Sequence, residues 1–359
     1  MNAAPRSARG RIRRALAIAA VAALVIAALA VAIHPALIWG PASATNSPPV
    51  TVLHAGDSSP GTAASPSARV TRVLPADGTR YFGVSITQSA ARRNLSARFR
   101  QAVGVTPTLQ MFFESFTETF DLTTARRITA AGALPMLTWE PYDHDRPAAD
   151  MFPLRSIATG KYDAYLRAEG QRFAAITGPL VIRFAHEMNG DWYPWGVGAP
   201  GNTAADYVAA FRHVHDVVTA AGARNVVWVW APNLIDADPS IALAPLYPGN
   251  DVVDWVGLSG YFTTSTNTYA SRFGPTLAQL DAVAPDRPIL VAETSVERTA
   301  NRAAQITNLV NGVRNTPRAV GLVWFDAAKR ADWSVDDDPA AAAALGAAIR
   351  RGGFGAHPE

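Results

Sequence analysis

A chain of 359 residues, 49% apolar and only 17% charged, carries enough hydrophobic side chain for a large core, which excludes a disordered polymer. It has no cysteine, so disulfide scaffolds, thiolate metal sites and cysteine nucleophiles are excluded as well. Of the 32 basic residues, five (Arg6, Arg9, Arg11, Arg13 and Arg14) precede every acidic one, and the 27 that remain face 29 acidic residues, so the body lacks the electrostatic footprint of a nucleic-acid binder.

Behind those arginines, residues 15–33 are uninterruptedly apolar. At about 1.5 Å per residue, such a helix nearly spans a hydrocarbon core of roughly 30 Å. Positive charge before it and none directly after predicts an inside N-terminus and a translocated body. Ala42-Ser43-Ala44 fits a signal-peptidase site, but the apolar run is longer than the roughly 7–15 residues of a signal peptide. Residues 1–40 therefore read as a signal-anchor, with a cleaved signal peptide as the alternative; either way the working domain is extracytoplasmic. Residues 41–79, rich in Pro, Ser, Thr, Ala and Gly, read as a flexible spacer.

From residue 80 onward, eight short runs rich in branched and aromatic residues read as strands: 81–87, 108–114, 134–140, 180–187, 226–231, 255–261, 289–293 and 320–325. They are mostly continuous rather than alternating, as in strands buried on both faces. Amphipathic helices lie between them. One starts at Thr203 with Asp206 three residues on, places Tyr207, Phe211, Val214 and Val218 on one face, and stops at Gly222. Another covers 300–315 with Ile306, Leu309, Val310 and Val313 inward, and an alanine-rich helix over 339–351 closes the chain. Eight β/α alternations within 80–352 predict an α/β fold of the (β/α)₈ TIM-barrel type. An open doubly wound sheet would call for a Gly-rich loop after the first strand, where the chain reads Gly83-Val84-Ser85-Ile86-Thr87-Gln88.

Barrel enzymes work at the carboxyl ends of their strands. Here Glu114, Glu140, Glu187 and Glu293 end strands two, three, four and seven, Tyr261 ends the sixth and Trp324 lies near the end of the eighth. Four carboxylates on one rim repel one another unless chemistry or a ligand requires them. Arg183, an even number of positions from Glu187, shares its face and can hold two of them. His186-Glu187 invites a zinc-protease reading, but that motif needs a second His three residues after the Glu, and position 190 is Gly. What remains is a carboxyl group followed by Trp192, Tyr193 and Trp195, a mixture suited to sugars, whose C–H faces stack on rings while their hydroxyls seek hydrogen bonds.

The run His186-Glu187-Met188-Asn189-Gly190 with the aromatics that follow resembles the acid/base signature of glycoside hydrolase family 26. Phe82-Gly83-Val84, Thr138-Trp139-Glu140-Pro141, Gly257-Leu258-Ser259-Gly260-Tyr261 and Ala292-Glu293-Thr294-Ser295 resemble other segments of that family, the last its nucleophile strand. The resemblance implies a retaining glycosidase of the clan with its acid/base after strand four and its nucleophile on strand seven, the positions reached independently by counting strands. It implies Glu187 as acid/base, Glu293 as ionised nucleophile, a hydrogen bond from Tyr261 to Glu293, His186 positioning sugar or acid/base, and Trp192 and Trp324 stacking on sugars. Trp195 and Glu140 are expected to join them in binding substrate, with packing of the barrel mouth as the alternative for Trp192 and Trp195 and a salt bridge to Arg183 or another rim arginine as that for Glu140.

The family implies a polysaccharide substrate, with endo-cleavage of β-1,4-mannan first and a mixed-linkage β-glucan or an envelope polysaccharide behind it. Ile182-Arg183-Phe184 and Tyr193-Pro194-Trp195 depart from the usual mannanase pattern. A non-catalytic glycan-binding barrel would lack a carboxylate, and both are present; a transglycosidase would use the same residues. No cofactor or metal is expected, and the protein is expected to act as a monomer tethered to the membrane, with no nucleic-acid partner. Asp336-Asp337-Asp338 reads as a loop capping the last helix rather than a calcium site, and His144, between Asp143 and Asp145, as a rim residue within reach of substrate.

Overall fold

Eight parallel strands pair in sequence order and close on themselves: β1 (Tyr81–Ser85), β2 (Leu109–Ser115), β3 (Leu134–Glu140), β4 (Leu180–Phe184), β5 (Val226–Trp230), β6 (Trp255–Phe262), β7 (Ile289–Val296) and β8 (Ala319–Trp324). This computed structural model describes residues 73–85, 93–146, 152–235, 239–326 and 333–355. The apolar segment 15–33 expected in the membrane lies outside the described residues, among which no helix is long and apolar enough to cross a membrane. Closure is made where β8 returns to β1, with Tyr81 opposite Gly321 and Val84 opposite Trp324.

The strands are buried on both faces, which is why they read as unbroken apolar runs. Alternation sends Leu109, Met111 and Phe113 of β2 to one face and Phe112 to the other, where Phe112 joins Phe82, Leu137, Ile182 and Leu258 in the layer under the helices. Outside lie α1 (Arg93–Val103), α2 (Leu122–Ala130), α3 (Leu154–Ala158), α4 (Asp163–Ala174), α5 (Ala204–Ala220), α6 (Tyr269–Val283), α7 (Arg302–Asn315) and α8 (Pro339–Arg351). In α5 the Thr203 hydroxyl accepts from the Asp206 backbone N–H at 3.1 Å, and Tyr207, Phe211, Val214 and Val218 are all buried, as their spacing predicts. Asp338 caps α8 from its side chain, while Asp336, Asp337 and Asp338 pair with Arg98, Arg298 and Arg302. Packing begins ahead of Arg80: Val73 is buried, and residues 73–80 line a cavity of about 500 Å³ at the amino-terminal end of the barrel.

Two strand ends fall three residues from the expected ones, and both shape the mouth. β4 stops at Phe184 because Ala185 takes φ +44° and Glu187 φ +54°, neither compatible with an extended chain. β7 runs past Glu293 to Val296, with its pairing register slipping on both sides, between Leu258 and Ser259 against β6 and between Val291 and Thr294 against β8. Such irregularities re-aim a side chain and recur beside active sites.

Candidate active site

The mouth is organised around Arg183, a wholly buried guanidinium on β4. Its Nε donates to Thr138 Oγ1 at 3.0 Å, Nη1 to Ser259 Oγ at 3.1 Å and Nη2 to Glu293 Oε2 at 2.5 Å. The other Glu293 oxygen accepts from the Tyr261 hydroxyl. Burial, and then the negative charge of Glu293, hold the Tyr261 phenol well above its ordinary range, so it remains a donor.

Glu187 sits on the turn after β4, and its left-handed backbone costs about 1–3 kcal/mol. Neighbouring backbone over-determines that conformation: Glu187 N–H donates to Ala231 O at 2.7 Å, Gly190 N–H to Glu187 O at 3.1 Å and Ala185 N–H to Trp139 O at 3.0 Å. The consequence is positional. On a regular strand His186 and Glu187 would point to opposite faces, yet a His186 ring nitrogen, a Glu187 oxygen and a Glu293 oxygen all lie within 4.8 Å of one another. Burial first, and the Glu293 carboxylate second, push the Glu187 carboxyl up to about 7, against the opposing pull of Arg183, Ser259 and Trp192. Trp192 is half-buried and its Nε1 donates to Glu187 Oε2 at 2.9 Å. Its ring folds over position 190 so closely that a Cβ there would lie 2.4 Å from it, which makes Gly190 a steric requirement.

His186 is buried, edge-on to Phe113, and burial together with Arg183 holds its imidazole well below its ordinary pKa, hence neutral. Glu140 ends β3 with no exposure; its partner is His144, Nε2 to Oε2 at 2.8 Å, and not Arg183.

Two expected sugar platforms stand elsewhere. Trp195 is 1% exposed, stacked on Tyr193 at 4.3 Å, with its Nε1 donating to the His186 carbonyl at 2.7 Å, so it braces the turn from behind. Trp324 has no exposure and shares the helix-facing cluster with Phe82, Val84 and Leu322, because strand alternation turns it outward with its register partner Val84. Phe325, the next residue, meets Phe113 and Tyr261 edge-on at the mouth, and Trp333 lies parallel to Tyr261 at 4.7 Å. Neither was among the expected site residues. Parity along β8 was the signal for Phe325; Trp333 left none, because its contact with β6 spans more than seventy positions of chain.

His186, Glu187 and Glu293 form the one grouping with metal-ligand spacing among the described residues. Arg183 already lies against Glu293 and opposes a second cation there, so the trio is built around a guanidinium.

Residues 166–311 match glycosyl hydrolase family 26. Endoglucanase H of Acetivibrio thermocellus is 34% identical over 232 residues, 62% of this chain and 25% of that protein. A mannan endo-1,4-beta-mannosidase of Bacillus subtilis is 27% identical over 165 residues, 44% of this chain and 40% of that one. The chain thus spans well under two thirds of the length of these relatives. A family 26 β-mannanase from Bacteroides ovatus has the same fold, with a TM-score of 0.59 at 18% identity over 78% of this chain and 91% of that chain.

Proposed function

We propose that the chain, whose residues 166–311 match glycosyl hydrolase family 26, is a retaining endo-β-glycanase acting on a polysaccharide outside the cytoplasm. Glu187, protonated because burial and Glu293 raise its pKa to about 7, delivers its proton to the glycosidic oxygen as the C–O bond breaks. Glu293, aligned by Arg183 and Tyr261, bonds to the anomeric carbon from the opposite face. Glu187, now a carboxylate, takes a proton from water, whose oxygen displaces Glu293 and restores the original configuration.

The observation that carries this reading is the separation of the two carboxyl groups. Their oxygens lie within 4.8 Å. A retaining pair stands about 5–5.5 Å apart, whereas an inverting pair needs roughly 6.5–9.5 Å to admit water between carboxylate and sugar. Among substrates, β-1,4-mannan comes first, supported by the mannosidase and mannanase relatives. A β-glucan is the second reading, favoured by the higher identity to endoglucanase H. Full-length protein offered β-mannan, barley β-glucan, β-1,3-xylan and envelope polysaccharide should release oligosaccharides from one of them, with the β-anomer first in proton NMR. An α-anomer appearing first, or no product from any, would reject the proposal.

The positively flanked apolar run 15–33 supports retention at the membrane with the barrel outside. Membrane fractionation with an intact N-terminus is the expected result; a soluble protein beginning near Thr45 would speak for cleavage instead.

A further inference from the structure

Beside the two glutamates runs a line of three polar groups, buried at Glu140 and His186 and half-buried at His144, with an unusual ending. Glu140 Oε2 meets His144 Nε2 at 2.8 Å, while Glu140 Oε1 and His186 Nδ1, 3.9 Å apart, are both buried without a hydrogen-bond partner. We infer that His144 is a positioning residue: by holding Glu140 in place and ionised, it fixes His186 with its proton on Nδ1 and leaves Nε2 as the ring's acceptor. The catalytic consequence rests on the function proposed above; the tautomer does not.

Glu140 anchors the line. A carboxylate with no exposure is costly unless hydrogen-bonded, and among the described residues His144 supplies its side-chain bond. His144 is suited to donate, because its other nitrogen lies 3.6 Å from Glu118 Oε2 and its ring is set edge-on to Tyr142 at 4.9 Å. Three carboxylates face this ring: Glu140 from β3, Glu118 from the turn after β2, and Asp143 beside it. They favour an imidazolium that donates from both nitrogens.

His186 is the opposite case. Complete burial, and then Arg183 of β4, keep it neutral, so it carries one N–H, and Glu140 Oε1 lies 3.9 Å from Nδ1. At 3.9 Å there is no hydrogen bond, but in a dry environment the attraction still decides between two tautomers that are nearly equal in water. The remaining groups at the ring are Phe113, Tyr193 and Trp195, together with the Glu187 and Glu293 carboxyls. Burial, and behind it Glu293, push the Glu140 carboxyl above its ordinary value, and the His144 hydrogen bond is the largest influence pulling it back toward the ionised form, ahead of Arg183.

Full-length protein labelled with ¹⁵N-histidine tests this by long-range ¹H–¹⁵N correlation near pH 6.5, with His186→Gln and His144→Gln identifying the signals. The expected spectrum shows His144 protonated at both nitrogens and His186 as a single Nδ1–H tautomer. His144→Ala should turn His186 into a mixture or into the Nε2–H form, while His144→Gln, whose amide can still donate to Glu140, should restore Nδ1–H. In parallel, kcat/KM on whichever glycan is cleaved should fall roughly 10- to 100-fold in His144→Ala, mostly through kcat, and recover in His144→Gln. A His186 Nε2–H tautomer in the unmutated protein, an unprotonated His144 Nε2, or a His186 spectrum indifferent to His144→Ala would each overturn the inference. If no glycan is cleaved, the proposed function fails while the tautomer measurement still decides this one.

Discussion

Arg183 on β4 reaches across the barrel to Glu293 on β7, placing Nη2 2.5 Å from Oε2 in a pair where the arginine has no exposure and the glutamate 7%. Such a pair is costly to assemble and costlier to break, since removing one partner strands a buried charge. Arg183→Ala should therefore destabilise the barrel by about 3–5 kcal/mol in urea unfolding. Arg183→Lys, which cannot serve Thr138, Ser259 and Glu293 together, should recover only part of that loss. Unchanged stability in Arg183→Ala would mean that the pair carries no structural weight.

If Glu293 forms the covalent bond, Glu293→Ala should abolish turnover, and added azide should restore it with inverted product, because a small anion then attacks from the vacated face. Azide-rescued product of retained configuration would remove Glu293 from that role.

Glu187→Ala should slow cleavage least for substrates with good leaving groups, which need little proton assistance. A uniform loss across a series of aryl glycosides with leaving groups of graded acidity would contradict the acid assignment.

Because the Glu187 carboxyl titrates near 7 in the fold, against an ordinary value of 4.5, activity that needs its proton should decline as the pH rises through about 7. The same shift has a sign for stability. A carboxyl whose folded-state pKa is raised contributes fully below its unfolded pKa and loses that contribution as the pH climbs to the folded value. Stability should thus fall between about pH 4.5 and 7, and Glu187→Gln should flatten that slope in a pH series of thermal unfolding.

Trp324 and Trp333 should separate by phenotype. Trp324→Ala, which empties a buried site under the helices, should cost about 3–5 kcal/mol of stability and leave KM of the folded enzyme unchanged. Trp333→Ala, which removes the ring parallel to Tyr261, should alter KM or kcat more than stability. The reverse pattern in glycan kinetics and urea unfolding would show that Trp324 is the platform after all.

The sequence by itself determined the barrel. Residues buried on both faces of a parallel sheet must be apolar throughout, and helices lying on that sheet must be apolar along one stripe, so Val226–Trp230 and the Tyr207, Phe211, Val214, Val218 stripe were legible without coordinates. It also brought Glu187 and Glu293 to the same rim of that barrel, after strands four and seven, since that follows from counting elements. Side-chain direction, by contrast, came only with the folded chain. Parity along a strand says which side chains share a face, and it fails where the chain leaves the extended region. Positive φ at Ala185 and Glu187 gathers His186 and Glu187 on one side, and the slipped register around Glu293 turns that carboxylate toward Arg183 and Tyr261. The same parity, intact over Gly321–Trp324, turns Trp324 away from the mouth that its place near the strand end had suggested. Trp333 on Tyr261 depends on where the segment after β8 meets the end of β6, and Glu140 on His144 depends on how the chain turns after β3; side-chain period carries no information about either.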